Sequence, residues 1–176
     1  MTAASRRVLA QGRHLRFVEE DGWEFVERNA INGVVVIVAV TAEGRLVLVE
    51  QYRRPVGTTV LELPAGLSGD VVGQEDEDLA SAARRELLEE TGYDAGSLER
   101  IGPTGPPSAG VTSEVVTFFR AQALRRVGPG GGDAHEQITV HEIPLAEVEA
   151  WLEERARAGA LVDPKVYAGL YFASRS

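Results

Sequence analysis

A mixed α/β fold, with helices packed on the faces of a sheet, is predicted for this chain of 176 residues by three features. The first half carries β-branched runs of strand length, above all VVVIVAV over residues 34–40. A single segment, residues 78–91, then repeats its apolar side chains every four positions, as a helix does. A second set of strands follows, and two further helical segments come after it.

Each element has its own local warrant. WEFVER (residues 23–28) alternates large apolar with charged side chains, the period of a half-buried strand. GVVVIVAV (33–40) is continuous and β-branched, which suits a strand covered on both faces. TAEGR (41–45) has turn chemistry, so LVLVEQY (46–52) follows as the hairpin partner. TTVLEL (58–63) is a short strand stopped by Pro64, which has no N–H to give a ladder. AGLSGDVVGQEDED (65–78) reads as a loop rich in Gly and Asp. The helix after it places Leu79, Ala83 and Leu87 on one face and stops at Gly92. LERIGPTG reads as a strand running into a loop, PPSAGVTS as a loop, EVVTFFRAQAL (114–124) as a strand. GPGGGDAHE (128–136) is by composition the most flexible segment. QITVHEI (137–143) is a strand, and LAEVEAWLEERARAG an amphipathic helix with Leu145, Val148, Trp151 and Leu152 on one face. A last helix starts with Asp163 as N-cap and Pro164 in the first turn. With no long linker and no repeat, residues 1–176 read as one domain.

Composition narrows the function classes. The chain has no cysteine, which removes disulfides, thiolate metal sites and thiol nucleophiles. A net charge of −9 argues against a protein that coats nucleic acid by neutralising phosphates. It leaves room for a small anionic substrate, because a bound cation reverses the local potential. No apolar run reaches membrane-spanning length and no secretory signal is expected, so a cytoplasmic location is the default expectation.

The segment ARRELLEETGY (83–93) concentrates charge. Glu86, Glu89 and Glu90 are three and four positions apart, so their carboxylates share a helix face. Like charges at that spacing cost a helix about 0.2–0.5 kcal/mol per pair. On spacing alone two readings stand: a solvated acidic face with Arg84 and Arg85 as counter-charges, or oxygen ligands for a hard cation such as Mg²⁺ or Mn²⁺. The helix follows a strand ending LELPAG and a Gly/Asp loop, where amides can face an anion.

LELPAGL…EDLASAARRELLEETGY resembles the Nudix hydrolase signature. That signature runs Gly, five residues, Glu, seven residues, Arg-Glu, apolar, any, Glu-Glu, any, Gly, apolar. Glu77, Arg85, Glu86, Leu87, Glu89, Glu90, Gly92 and Tyr93 fit it without a gap. One departure is clear: ten residues separate Gly66 from Glu77, an insertion of about five that leaves the path of the loop and the role of Glu77 open. The resemblance implies a Nudix-type α/β/α sandwich with a mixed β-sheet, N-terminal antiparallel strands within about residues 1–57, and a box of loop and helix over residues 64–93. It implies Mg²⁺ held by Glu86, Glu90 and Glu89 and by the backbone carbonyl of Ala65, with Glu89 a ligand or a water-binding partner. Arg85 would hold a carboxylate by a forked hydrogen bond, and Gly66 would allow a close backbone turn.

The flanking segments are similar to the branch that cleaves ADP-ribose and nucleoside diphosphate sugars. Those segments are GRHLRFVEEDGWEFVER, VLVEQYRRPVG, PPSAGVTSE and GGGDAHEQITV. That similarity implies a homodimer in which the strands around Trp23 serve the neighbour's base pocket. It also implies Arg53, Arg54 and Glu62 near substrate, and Glu136 as catalytic base or further metal ligand. Trp23 is read alternatively as a core or interface aromatic, Arg53 and Arg54 as solvated, and Glu62 as structurally paired. Two other functions share the box: hydrolysis of nucleoside triphosphates or dinucleoside polyphosphates, and non-catalytic nucleotide binding. Neither a nucleic acid nor a membrane partner is expected.

Overall fold

The computed structural model describes residues 5–132 and 137–175. Three strands come first: β1 (Arg6–Gln11), β2 (Leu15–Glu20) and β3 (Trp23–Arg28) form a separate antiparallel sheet. β4 (Gly33–Ala39) and β5 (Arg45–Arg53) are the next pair, followed by β6 (Thr58–Glu62) and β7 (Ala65–Ser68). Helix α1 (Leu79–Thr91) leads directly into β8 (Tyr93–Gly105), then β9 (Val116–Arg126) and β10 (Ile138–Pro144). The chain closes with α2 (Val148–Arg157), β11 (Leu161–Val162) and α3 (Pro164–Ala173). This is the mixed α/β class that the element order predicts.

The mixed hydrogen bonding is shared between two four-stranded sheets, in the orders β10-β5-β6-β11 and β7-β4-β9-β8. β4 lies parallel to β9 and antiparallel to β7, and β11 lies parallel to β6. β4 has hydrophobic cores on both faces. Val35, Ile37 and Ala39 pack with Ala82, Ala83 and Leu87 of α1. Val36 and Val38 pack on the other side with Val148 and Leu152 of α2 and Val166 of α3. Alternation along one strand therefore feeds two helical layers.

Two expectations need correction. Residues 65–68 are a strand rather than the start of a loop: β7 is held by pairing with β4, a non-local partner that loop-like composition does not reveal. In β3 the residue that goes inside is Glu27, while Trp23 is 69% exposed. The carboxylate of Glu27 accepts hydrogen bonds from Arg16 at 2.7 Å and from Arg6, and these two arginines, on the other two strands of the sheet, make its burial tolerable. The sheet joins the rest of the fold through a bridge between Val26 and Thr112 and an ion pair between Arg28 and Glu114.

Candidate active site

The caps of α1 set its rotation. Asp78 Oδ1 accepts from the N–H groups of Ala80 (2.9 Å) and Ser81 (3.1 Å), satisfying two of the orphan donors of the first turn. Gly92, at φ 75°, donates its N–H to the Leu88 carbonyl and ends the helix in the left-handed region. With Ala82, Ala83 and Leu87 turned into the core, Glu86 and Glu90 face β7. Glu90 is only 3% exposed, and its Oε2 accepts the Ala65 N–H at 3.0 Å. Glu86 lies so close to Gly66 that a Cβ there would sit 1.9 Å from the Glu86 Cδ. Only glycine lets this carboxylate rest on the strand backbone. Glu89 is the outer member of the three, with a side chain 48% exposed.

Arg85 is the hub. Its Nε and Nη2 donate to Glu77 Oε1 (3.1 Å) and Oε2 (3.0 Å), a forked pair. Nη2 also donates to the Leu67 carbonyl at 2.9 Å, and Nη1 donates to Glu86 (2.9 Å) and Glu89 (3.2 Å). Asp70 lies 3.5 Å away. The lengthened loop therefore does not displace Glu77. Asn32 Nδ2 donates to the carbonyls of Glu75 (2.8 Å) and Glu77 (3.2 Å), and Ser68 Oγ donates to the Glu77 carbonyl at 2.6 Å. These contacts pin the excursion at its base and leave Val72, 95% exposed, near its tip.

Burial pushes the Glu86 carboxyl up to about 7, and the nearby Glu89 and Asp70 carboxylates add to the rise against the lowering by Arg85. Desolvation outweighs the one guanidinium, so Glu86 is a buried anion short of positive charge. Its partners hold the Arg85 guanidinium firmly protonated, first through the Glu77 fork. An under-compensated carboxylate beside hard oxygen donors fits a divalent cation by donor chemistry. Among the described residues, no group of three or more His, Asp or Glu side chains stands close enough to hold one. Each glutamate is engaged instead by a donor of the protein itself.

The other expected residues divide. Arg53 Nε donates to Glu62 Oε2 at 2.7 Å, and Glu62 is buried. Both lie on the strand face that leads to Val47 and the α1 core. Arg54 is exposed in the turn that follows β5. Trp23 stands exposed on the separate N-terminal sheet. Glu136 lies outside the described residues. Sequence reasoning missed Asn32 and Asp70, for which no motif exists.

It also missed residues 128–132, expected to be the most flexible and found docked on α1. Gly131 and Gly132 donate to the carbonyls of Glu90 (2.8 Å) and Glu89 (3.1 Å).

Comparison with known proteins gives a consistent picture. The NUDIX domain matches residues 31–162, well over half of the chain. A methanol dehydrogenase activator of Bacillus methanolicus is 32% identical over 124 residues, covering 70% of this chain and 64% of that protein. An ADP-ribose pyrophosphatase of Bacillus subtilis (strain 168) is 35% identical over 124 residues, again covering 70% of this chain and 64% of the relative. The match thus spans just under two thirds of the length of these two relatives. A crystal structure of an ADP compounds hydrolase shares the fold, with a TM-score of 0.67 at 23% identity, covering 97% of this chain and 90% of that one. The matched domain and the glutamate-bearing helix that it spans place this chain in the Nudix family.

Proposed function

We propose that the chain is a Mg²⁺-dependent pyrophosphohydrolase, able to use Mn²⁺. It would cut the P–O–P bridge of ADP-ribose or a nucleoside diphosphate sugar. Water adds to one phosphorus, the bond to the bridging oxygen breaks, and a nucleoside monophosphate and a sugar phosphate leave with release of a proton. The observation that supports this best is the Arg85 hub, which holds Glu77, Glu86 and Glu89 in one network while Glu90 and Glu86 rest against Ala65 and Gly66. Glu86, Glu89, Glu90 and the Ala65 carbonyl would hold the cation, which when bound neutralises phosphoryl charge and lowers the pKa of a water. Arg85 keeps the glutamate carboxylates oriented. Arg53, held in place by Glu62, and the neighbouring Arg54 are assigned to the diphosphate by their positive charge and their place at the end of β5. Glu136 is assigned the proton-accepting role and Trp23 the base contact.

A homodimer suits the first sheet. β1 is exposed throughout, and Val8 and Leu9 on β1, Phe17 on β2 and Trp23 on β3 are exposed apolar side chains of this sheet. Among the described residues no helix is long and apolar enough to cross a membrane. The decisive experiment incubates the protein with ADP-ribose, nucleotide sugars, dinucleoside polyphosphates and dNTPs, with Mg²⁺ or with EDTA, and separates products by chromatography. Sugar phosphate formed only with the cation is expected. Pyrophosphate released from dNTPs would assign the triphosphate activity instead, and binding without turnover a regulatory role.

A further inference from the structure

We propose that the glycine run at residues 130–132 is a positioning clamp for Glu89 and Glu90, acting through the backbone of α1. The inference rests on the metal-site reading given above. The last carbonyls of a helix lack partners within it. Here the Leu88 carbonyl takes the Gly92 N–H, while those of Glu89 and Glu90 take N–H groups from Gly132 and Gly131, more than forty residues away in sequence. The two carbonyls so engaged belong to two of the box glutamates.

The seam is backbone against backbone. A Cβ on Gly130 would sit 2.4 Å from the Thr91 carbonyl carbon and 2.7 Å from the Glu90 oxygen. A Cβ on Gly92 would sit 2.2 Å from the Gly128 oxygen. Gly130, Gly131 and Gly132 have φ of 70°, 110° and 79°, a region that favours glycine. The clamp is tied on to the sheet, since Ile138 at the start of β10 donates to the Gly131 carbonyl at 3.2 Å. Val127 and Gly128 both donate to the Gly92 carbonyl. The last turn of α1 is therefore held between β9 and β10 and cannot shift alone. Gly128 differs: its φ is not positive, and an added Cβ would meet only the Gly92 Cα at 3.9 Å.

The test compares Gly130→Ala, Gly131→Ala and Gly128→Ala in the full chain. Mn²⁺ affinity is read by electron paramagnetic resonance, amide exchange at residues 131 and 132 by mass spectrometry, and kcat and KM per folded molecule with ADP-ribose. For Gly130→Ala, Mn²⁺ affinity and kcat should fall by about 10–100-fold, the range for residues that orient ligands. KM should stay near the wild-type value, and the two amides should lose protection. Gly131→Ala, strained without a clash, should move the same way by less and guards against misfolding of the first variant. Gly128→Ala should match the wild type. Wild-type metal affinity and kcat in folded Gly130→Ala, or an equal loss in Gly128→Ala, would overturn the clamp alone. A wild-type chain that neither binds Mn²⁺ nor turns over would overturn the metal-site reading and the clamp with it.

Discussion

Replacing Glu86 by Gln keeps the shape of the side chain and an oxygen that can accept from Arg85, but removes the buried charge. In the folded chain the carboxyl is raised from 4.5 to about 7, with its side chain 13% exposed. One pKa step corresponds to about 1.36 kcal/mol, so in the metal-free protein the ionised Glu86 costs about 3 kcal/mol of stability. The sign follows from proton counting. Between pH 4.5 and 7 the folded chain keeps the Glu86 proton while the unfolded chain has released it. The contribution of this group to stability therefore falls as pH rises through that window and is level outside it. Glu86→Gln should match the wild type in melting temperature at pH 4 and exceed it by about 5–10 °C at pH 8 in EDTA, for a domain of this size. Adding Mg²⁺ should raise the wild-type melting temperature and move the variant far less, because only the native wild-type chain gains from the ligand. Scanning calorimetry at both pH values, with EDTA and with Mg²⁺, decides it. A variant no more stable than the wild type at pH 8, or equally more stable at pH 4, would refute the reasoning.

Gly66→Ala would place a methyl group on the Glu86 carboxylate; kcat should fall by at least about tenfold through displaced ligands, and normal turnover would deny Glu86 its place on β7. Arg85→Ala removes the shared counter-charge of Glu77, Glu86 and Glu89 and should destabilise the fold by about 3 kcal/mol, within the range for breaking a buried pair; urea denaturation measures it. Glu27 is held below its ordinary range, first by Arg6 and also by Arg16, against the opposing effect of burial. Its contribution is therefore full above pH 4.5 and fades as pH falls through the lower folded value. Glu27→Gln should lower stability by about 1 kcal/mol at pH 7, the discount reflecting the half-exposed arginines, and the deficit should close in acid. Glu136→Gln should lower kcat by a factor of about 10²–10⁴ with KM little changed, as for a general base; an unchanged kcat would place the base elsewhere.

Where short-range rules govern, structure was legible before folding was considered. The helix at Leu79–Thr91 has the start, stop and buried face expected of it, because an Asp N-cap, a Gly stop and a four-residue period act within a few turns. The β-branched run of β4 is covered on both faces, as continuous hydrophobicity requires. The last helix begins at Asp163 and Pro164 for the same local reasons. The box glutamates could be put on one side of a helix by spacing alone.

Depth and partnership were not legible, because they depend on what the chain brings back from a distance. Spacing cannot say that Glu90 is buried while Glu89 meets solvent; the contact of α1 with β7 decides it. Composition marks WEFVER as an alternating strand but cannot show that Glu27 is the inward residue, since its two arginines lie on other strands. The inserted loop before α1 threatened the position of Glu77, and Arg85 of the motif together with two donors outside it, on Asn32 and Ser68, hold it in place. Residues 128–132 give the sharpest contrast. A chain without side chains is free in solution, which composition reports as flexibility. The same lack of a Cβ lets one backbone lie against another, and whether freedom or contact prevails is decided by the end of α1 standing where those glycines pass.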